Sequence, residues 1–328
     1  MIGRTCLALG VGSLACLLAV GIGLLTVSGC RTNPATDTSE FLLLSREQEA
    51  QIGADAAPQF TQEYGGAVSD DALQSYVTDI GLRLAAETEA YFPEIDWEFT
   101  LLDSDVVNAF ALPGGKIFVT RGLAGRMTNE AQLAGVVGHE IGHVTAQHGN
   151  RRISRQMGMD AVLTGAQIFV DSASRGSATR QIGGAAVPAL DMGGQLVMLQ
   201  YGRDEEIEAD RLGIRYMTRV GYNPRGQLQV MELLASLSGD ARQPEFLSTH
   251  PYPETRIEMI RRLLDTKYAD VVNDPAYGFY ESRFQRRFLD QLAVHDRGIH
   301  RYGTLPPGHL AWCAHCAGRP IPTDLVTR

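Results

Sequence analysis

Residues 139 to 143 read His-Glu-Ile-Gly-His, and residues 205 to 210 read Glu-Glu-Ile-Glu-Ala-Asp. Four residues advance an α-helix by about 400°, so two histidines at that spacing lie one turn apart on the same face. Two imidazoles so placed can share one metal ion. Glu140, one position on, sits beside the pair, where it reaches a water at the metal rather than the metal itself. A catalytic zinc takes three protein ligands and keeps the fourth position open, so a third ligand must come from elsewhere. His148 is a poor choice: on a continuous helix it is turned about 140° from His143. The extended zinc motif also fails, since it needs Gly at 146 and His at 149 where this chain has Ala146 and Gly149. Glu206 is the better choice. With Asp210 it repeats the four-residue spacing, so Glu206 can ligate the metal while Asp210 accepts a hydrogen bond from the far nitrogen of a ligating histidine. Glu205 and Glu208 are rivals for the ligand role, and an acidic first turn complementing the helix dipole is the bland alternative. The chemistry on offer is metal-assisted hydrolysis.

The elements that must position these groups are mostly helical. Ser45 and Gln48 have capping-box spacing and open a helix through about Phe60. A second helix starts at Ser69, with Leu73, Tyr76, Val77, Ile80 and Leu84 at helical intervals. Then the period changes: Trp97, Phe99 and Leu101 alternate with Glu98 and Thr100, as a half-buried strand requires. "VVNAFAL" and "KIFVT" are two more strands, joined by the turn formers Pro113-Gly114-Gly115. The histidine helix runs from Asn129 through His148, with Gly149-Asn150 as its stop. Further helices cover Arg203 to Arg219, the stretch after Asn223-Pro224, and the amphipathic "ETRIEMIRRLLD". The expected fold class is α+β, mainly helical, with a small β-sheet before the histidine helix.

Residues 1 to 29 read as an export signal: a Gly- and Ala-rich apolar run that ends in "VSGC". The small residues before Cys30 give the segment the look of a bacterial lipobox, which makes Cys30 the lipidated first residue of the mature chain. An uncleaved helical anchor is the alternative, since the run is long enough to span a bilayer. Arg31 lacks the acidic character associated with inner-membrane retention, which favours the periplasmic face of the outer membrane over an inner-membrane anchor. Residues 30 to 40 read as a polar linker. Removing residues 1 to 29 discards one charge, Arg4, and leaves 28 basic against 38 acidic residues, or -10. So acidic a chain is a poor partner for nucleic acid.

Four ordered blocks, "NAFALPGGKIFVTRGL", "GVVGHEIGHVTAQH", "EEIEADRLG" and "STHPYPETRI", give the chain its family likeness. It resembles the zinc metallopeptidases that include HtpX, the mitochondrial Oma proteases and the prenyl-protein proteases, most of all their bacterial periplasmic lipoprotein members. The resemblance implies a zincin-like (gluzincin) domain over residues 41 to 265, followed by an extension from 266 to 328. It also implies one Zn2+ per chain, bound by His139, His143 and Glu206, with Glu140 as catalytic base and Asp210 behind the ligands. Asn108 and Ala109 fall where related proteases pair with the substrate backbone, on an edge to which an unfolded polypeptide can add as a strand. His250 matches a family histidine near the metal, either an oxyanion donor or the occupant of the open metal position.

The expected function is a membrane-tethered metalloendopeptidase for unfolded or misassembled envelope proteins. The rivals are a non-proteolytic or latent chaperone of the same fold and, more distantly, a helical structural protein with an accidental motif. Residues 157 to 200 read equally as a cover over the site or as tightly packed apolar helices. Cys313 and Cys316 suggest a local disulfide before a second metal site. The oligomeric state is not written in the sequence.

Overall fold

The structure, a computed structural model, describes residues 31–40, 42–89, 95–159, 200–238 and 244–302. The export signal with Cys30, most of the 157 to 200 stretch, and Cys313 with Cys316 lie outside the described residues.

Helix α1 (Arg46–Glu63) begins at the expected capping box: Ser45 Oγ accepts from Gln48 N–H, and the Gln48 side chain accepts from Ser45 N–H. Helix α2 (Asp71–Ala85) starts two residues after the expected Ser69, because the Asp70 carboxylate accepts the free Ala72 and Leu73 N–H groups. Its stripe of Leu73, Tyr76, Val77, Ile80 and Leu84 is buried in the main core. Three strands follow, β1 (Glu98–Leu102), β2 (Ala109–Leu112) and β3 (Lys116–Thr120). The sheet order is β1-β3-β2, with β3 parallel to β1 and antiparallel to β2. Central β3 is buried along its whole length, whereas β1 alternates as expected. Gly114 and Gly115 turn the β2–β3 hairpin in the left-handed region, at φ +77° and +92°.

Helix α3 (Glu130–Thr145) carries the two histidines and is buried at every position. Asn129 caps it by accepting from Gln132 N–H. The helix does not continue to His148 as its pattern suggests. Gln147 takes φ 54°, and the chain re-enters helical geometry in a new direction over 148–159.

Helix α4 (Arg203–Arg219) crosses α3 with backbone against backbone. A Cβ on Gly213 of α4 would sit 2.8 Å from His139 N and 2.9 Å from the Gly138 carbonyl carbon. A Cβ on Gly142 of α3 would sit 2.8 Å from Ala209 O. The small residues at this crossing let the two functional faces approach closely. Helices α5 (Arg225–Leu237) and α6 (Pro253–Thr266) pack around the crossing, and α7 (Asp290–Tyr302) follows a π-helical turn over Gln285–Leu289. No helix among the described residues is long and apolar enough to cross a membrane.

Two segments depart from the expected boundaries. The polar linker is folded: Arg31–Asn33 and Thr38–Glu40 form an antiparallel hairpin. The buried Asn33 amide donates to Thr145 O at 2.9 Å, which satisfies a carbonyl at the end of α3. The core also continues past residue 265, since Phe284, Phe288 and Leu292 are buried with the α2 stripe. The link is Glu130, in the first turn of α3 and 1% exposed. It accepts from Tyr76 Oη and Arg283 Nε, each at 2.5 Å, from Arg83 Nη2 at 3.2 Å, and from Tyr222 Oη.

Burial pushes the Glu130 carboxyl up, but the hydrogen bonds from Arg283, Tyr222 and Tyr76 more than offset this and leave it below 4.5, the ordinary carboxylate value. A depressed folded pKa gives stability that is full above the unfolded value and is lost as the pH falls through the folded one. Glu130→Gln is therefore expected to cost about 2 kcal/mol at neutral pH. In urea titrations across pH, the gap to wild type should close below 4.5. At the helix crossing, Gly213→Ala gains about 1 kcal/mol of helix propensity. It also overpacks against unyielding backbone, which costs about 1–3 kcal/mol. The expected net outcome is destabilisation, together with weaker metal retention, read by urea unfolding and metal analysis.

Candidate metal centre

The crossing of α3 over α4 brings His139, His143 and Glu206 together, and the turn after Phe246–Thr249 delivers His250. One ligand atom from each lies within 4.8 Å of all the others, and all four residues are buried. His139 Nε2 is 3.0 Å from His143 Nε2, and Glu206 Oε1 is 3.4 Å from His143 Nε2. His250 Nδ1 lies 3.0 Å from Glu206 Oε1 and 3.3 Å from His139 Nε2.

The far nitrogens fix the tautomers. His139 Nδ1 faces Asp210 Oδ1 at 2.9 Å, so it carries the proton and leaves a lone pair on Nε2. Asp210 thus stands where the sequence placed it, behind a histidine rather than in the cluster. Lone pairs converging in a buried space are the donor set that a divalent cation satisfies, and nitrogen with carboxylate oxygen suits zinc. The residues present fit a metal.

Behind the cluster lies Arg256 of α6, fully buried. Its Nε and Nη2 donate to the two Asp210 oxygens, each at 2.7 Å, and its Nη1 stands 2.5 Å from Glu206 Oε2. Although burial opposes it, this cation holds the Glu206 carboxyl well below the usual range and the Asp210 carboxyl at about 2. Burial wins at Glu140, whose carboxyl is pushed up to about 7. Among the described residues neither Glu140 oxygen has a hydrogen-bond partner, and His250 Nε2, likewise without a hydrogen bond, lies 3.6 Å from Oε1. Such a group is poised to take and return a proton near neutral pH.

Aromatic rings close the other side. Tyr201 stacks on His143 with ring centroids 3.7 Å apart and also on His250, while the Arg152 guanidinium lies 3.6 Å over the Tyr201 ring. A cavity of about 20 Å³ remains beside His143, lined in part by Ala111, Leu112 and Tyr201, which is room for about one water molecule.

The Asn108 expectation needs correction. Its N–H donates to Thr120 Oγ1, its carbonyl accepts from Thr120 N–H, and its side chain binds Tyr64 and Glu245. Those backbone groups belong to the sheet. Residues alternate in an antiparallel ladder, so Ala109 and Ala111 turn theirs toward the outer edge of β2, which pairs with no other strand among the described residues. Ala109 is itself covered, and Ala111 is the half-buried position beside the histidine.

Two partners escaped the sequence reading. Arg256 was signalled by its place on the buried stripe with Ile260 and Leu264, where a lone cation needs buried anions. His148 was set aside on the assumption of a continuous helix, yet its Nδ1 is 2.8 Å from His143 Nδ1. Glu208, a rival ligand by sequence, binds His148 instead, and Glu205 closes the N-terminus of α4 through Gly202 N–H.

Comparison with known proteins agrees with this geometry. Residues 71–264 match the family description "Peptidase family M48". The chain is 33% identical over 230 residues to the "Beta-barrel assembly-enhancing protease" of Escherichia coli (strain K12), covering 69% of this chain and 46% of that protein. It is 33% identical over 168 residues to the "Mitochondrial metalloendopeptidase OMA1" of Arabidopsis thaliana, covering 51% of this chain and 31% of that protein. A third relative, the "Metalloendopeptidase OMA1, mitochondrial" of Bos taurus, is 28% identical over 250 residues, or 71% of this chain and 45% of that protein. The chain thus spans less than half the length of these relatives. With the motif helix, the acidic helix and the buried donor set all inside the matched region, the chain belongs to peptidase family M48.

Proposed function

We propose that this chain is a zinc metalloendopeptidase, tethered to the membrane through lipid on Cys30, that hydrolyses unfolded or misassembled envelope proteins at the periplasmic face of the outer membrane. One observation carries the catalytic part: four converging donors beside a buried carboxylate that accepts no hydrogen bond from the described residues. Bound there by His139, His143 and Glu206, zinc supplies a Lewis acid that polarises the scissile carbonyl and makes water acidic at neutral pH. The rest falls to the chain. Glu140 takes the proton of the attacking water and returns it to the leaving amine. Asp210 and Arg256 hold His139 and Glu206 in place. The free edge of β2 at Ala111 offers backbone groups to an extended peptide, which favours clients without fixed structure. The relatives' names support this reading, the metalloendopeptidase for the chemistry and the beta-barrel assembly-enhancing protease for the envelope.

A second reading concerns the state shown. His250 points Nδ1 into the donor set, and the cavity beside His143 has room for about one water and not for a peptide. Both features support a reading in which the site is at rest and His250 would take the position that a substrate oxygen needs.

Two substitutions test these readings, with zinc content and casein cleavage as readouts. Glu140→Gln should keep one zinc per chain and lose about 10²–10⁴-fold in cleavage rate. Zinc in both proteins with cleavage in neither would favour the chaperone rival. His250→Ala should keep the zinc and cleave casein faster than wild type; slower cleavage would make His250 the oxyanion donor instead.

A further inference from the structure

Each histidine of α3 is held from behind, but by different devices. His139 Nδ1 meets Asp210, which is clamped by Arg256. His143 points Nε2 at the donor set, so its proton lies on Nδ1, 2.8 Å from Nδ1 of His148. His148 must accept there, which puts its own proton on Nε2, 3.0 Å from Glu208 Oε2. Arg151 Nη1 reaches the same carboxylate oxygen at 2.9 Å, and its far side binds Glu40 of the N-terminal hairpin. Each imidazole N–H in this relay thus finds an acceptor, and the two histidines are buried.

We propose that His148, oriented by Glu208, is a positioning residue that fixes the tautomer and ring orientation of His143 at the metal; this rests on the metallopeptidase reading above. A metal-bound histidine needs an acceptor behind its other nitrogen, and removing one costs about 10–100-fold in metal affinity. For His143 the acceptor among the described residues is a second imidazole and not a carboxylate. The break at Gln147 makes this possible, since it folds residue 148 back over the end of α3. Buried Glu49 of α1 pins the break: it accepts from Gln147 Nε2 at 2.7 Å and from the Asn150 amide. A histidine kept only for packing would not need its Nδ1 aimed at the Nδ1–H of a ligand, nor a carboxylate on its other nitrogen.

The test uses the full-length protein, loaded with zinc or with cobalt(II) as a spectroscopic stand-in. His148→Phe keeps the ring and removes both hydrogen bonds. His148→Asn keeps an acceptor at the Nδ1 position and loses the link to Glu208. Zinc affinity is measured by competition with a chelator, cobalt geometry by the visible ligand-field bands, and fold by thermal unfolding of the metal-free protein. The expected result is about 10–100-fold weaker zinc binding and altered cobalt bands in His148→Phe. His148→Asn should recover most of the affinity, with metal-free melting as in wild type. Unchanged affinity and bands in His148→Phe overturn the proposal. If that variant does not fold, Glu208→Ala decides, because residue 208 is 27% exposed on α4 and tolerates alanine. About tenfold weaker binding supports the relay, and unchanged binding overturns it. A wild-type protein that takes up no metal overturns the metallopeptidase reading, and the relay with it.

Discussion

Everything at the site depends on two helices touching backbone to backbone. Helix axes usually pass about 8–10 Å apart, because side chains fill the contact. Here Gly138 and Gly142 face Ala209 and Gly213, and backbone meets backbone at the crossing. Only such an approach lets Glu206, in the first turn of α4, reach both histidines of α3. Glycine within a helix costs about 0.5–1 kcal/mol relative to alanine. The burial of α3 on all sides offsets that cost, since the histidine helix is the axis of the core and not its surface.

Burying the site brings an electrostatic problem. Glu140, Glu206 and Asp210 are all removed from water, and a buried ion without a partner is costly. Arg256 answers for two of them, bracketing Asp210 with two hydrogen bonds and standing against Glu206. Among the described residues Glu140 receives no such partner, and burial pushes its carboxyl up to about 7. The asymmetry separates the roles. In the proposed mechanism the carboxylates held ionised are the ligand and its support, and the one left poised between charge states is the base. A metal cation held by the donor set would complete the charge balance that Arg256 begins.

Much of the scaffold was legible from local signals. Caps at Ser45 and Asn129 act within one turn of the chain, so their residue types sufficed to place two helix starts. The stripe of α2 and the alternation of β1 followed from periodicity, because each element buries one face. The misses share a different cause. The linker reading of residues 30 to 40 failed because Asn33 finds Thr145, more than a hundred residues away. The boundary at 265 failed because Glu130 ties Arg283 to the start of α3. Asn108 lost its assigned role to Thr120, a pairing that follows from strand register and not from the strand's own residues.

By itself, the sequence determined which groups share a helical face. His139 with His143, and Glu206 with Asp210, follow from 3.6 residues per turn, which holds wherever the helix is unbroken. It also determined that the acid-base candidate is Glu140, beside the pair. Only the tertiary structure decided which of three glutamates meets the histidines, which cation stands behind them, and that His148 turns back to His143. Those outcomes depend on how closely α3 and α4 cross and on where α3 stops. The crossing and the stop are set by contacts with Ala209, Gly213 and Glu49, all remote in sequence, and no local pattern encodes a contact between distant residues.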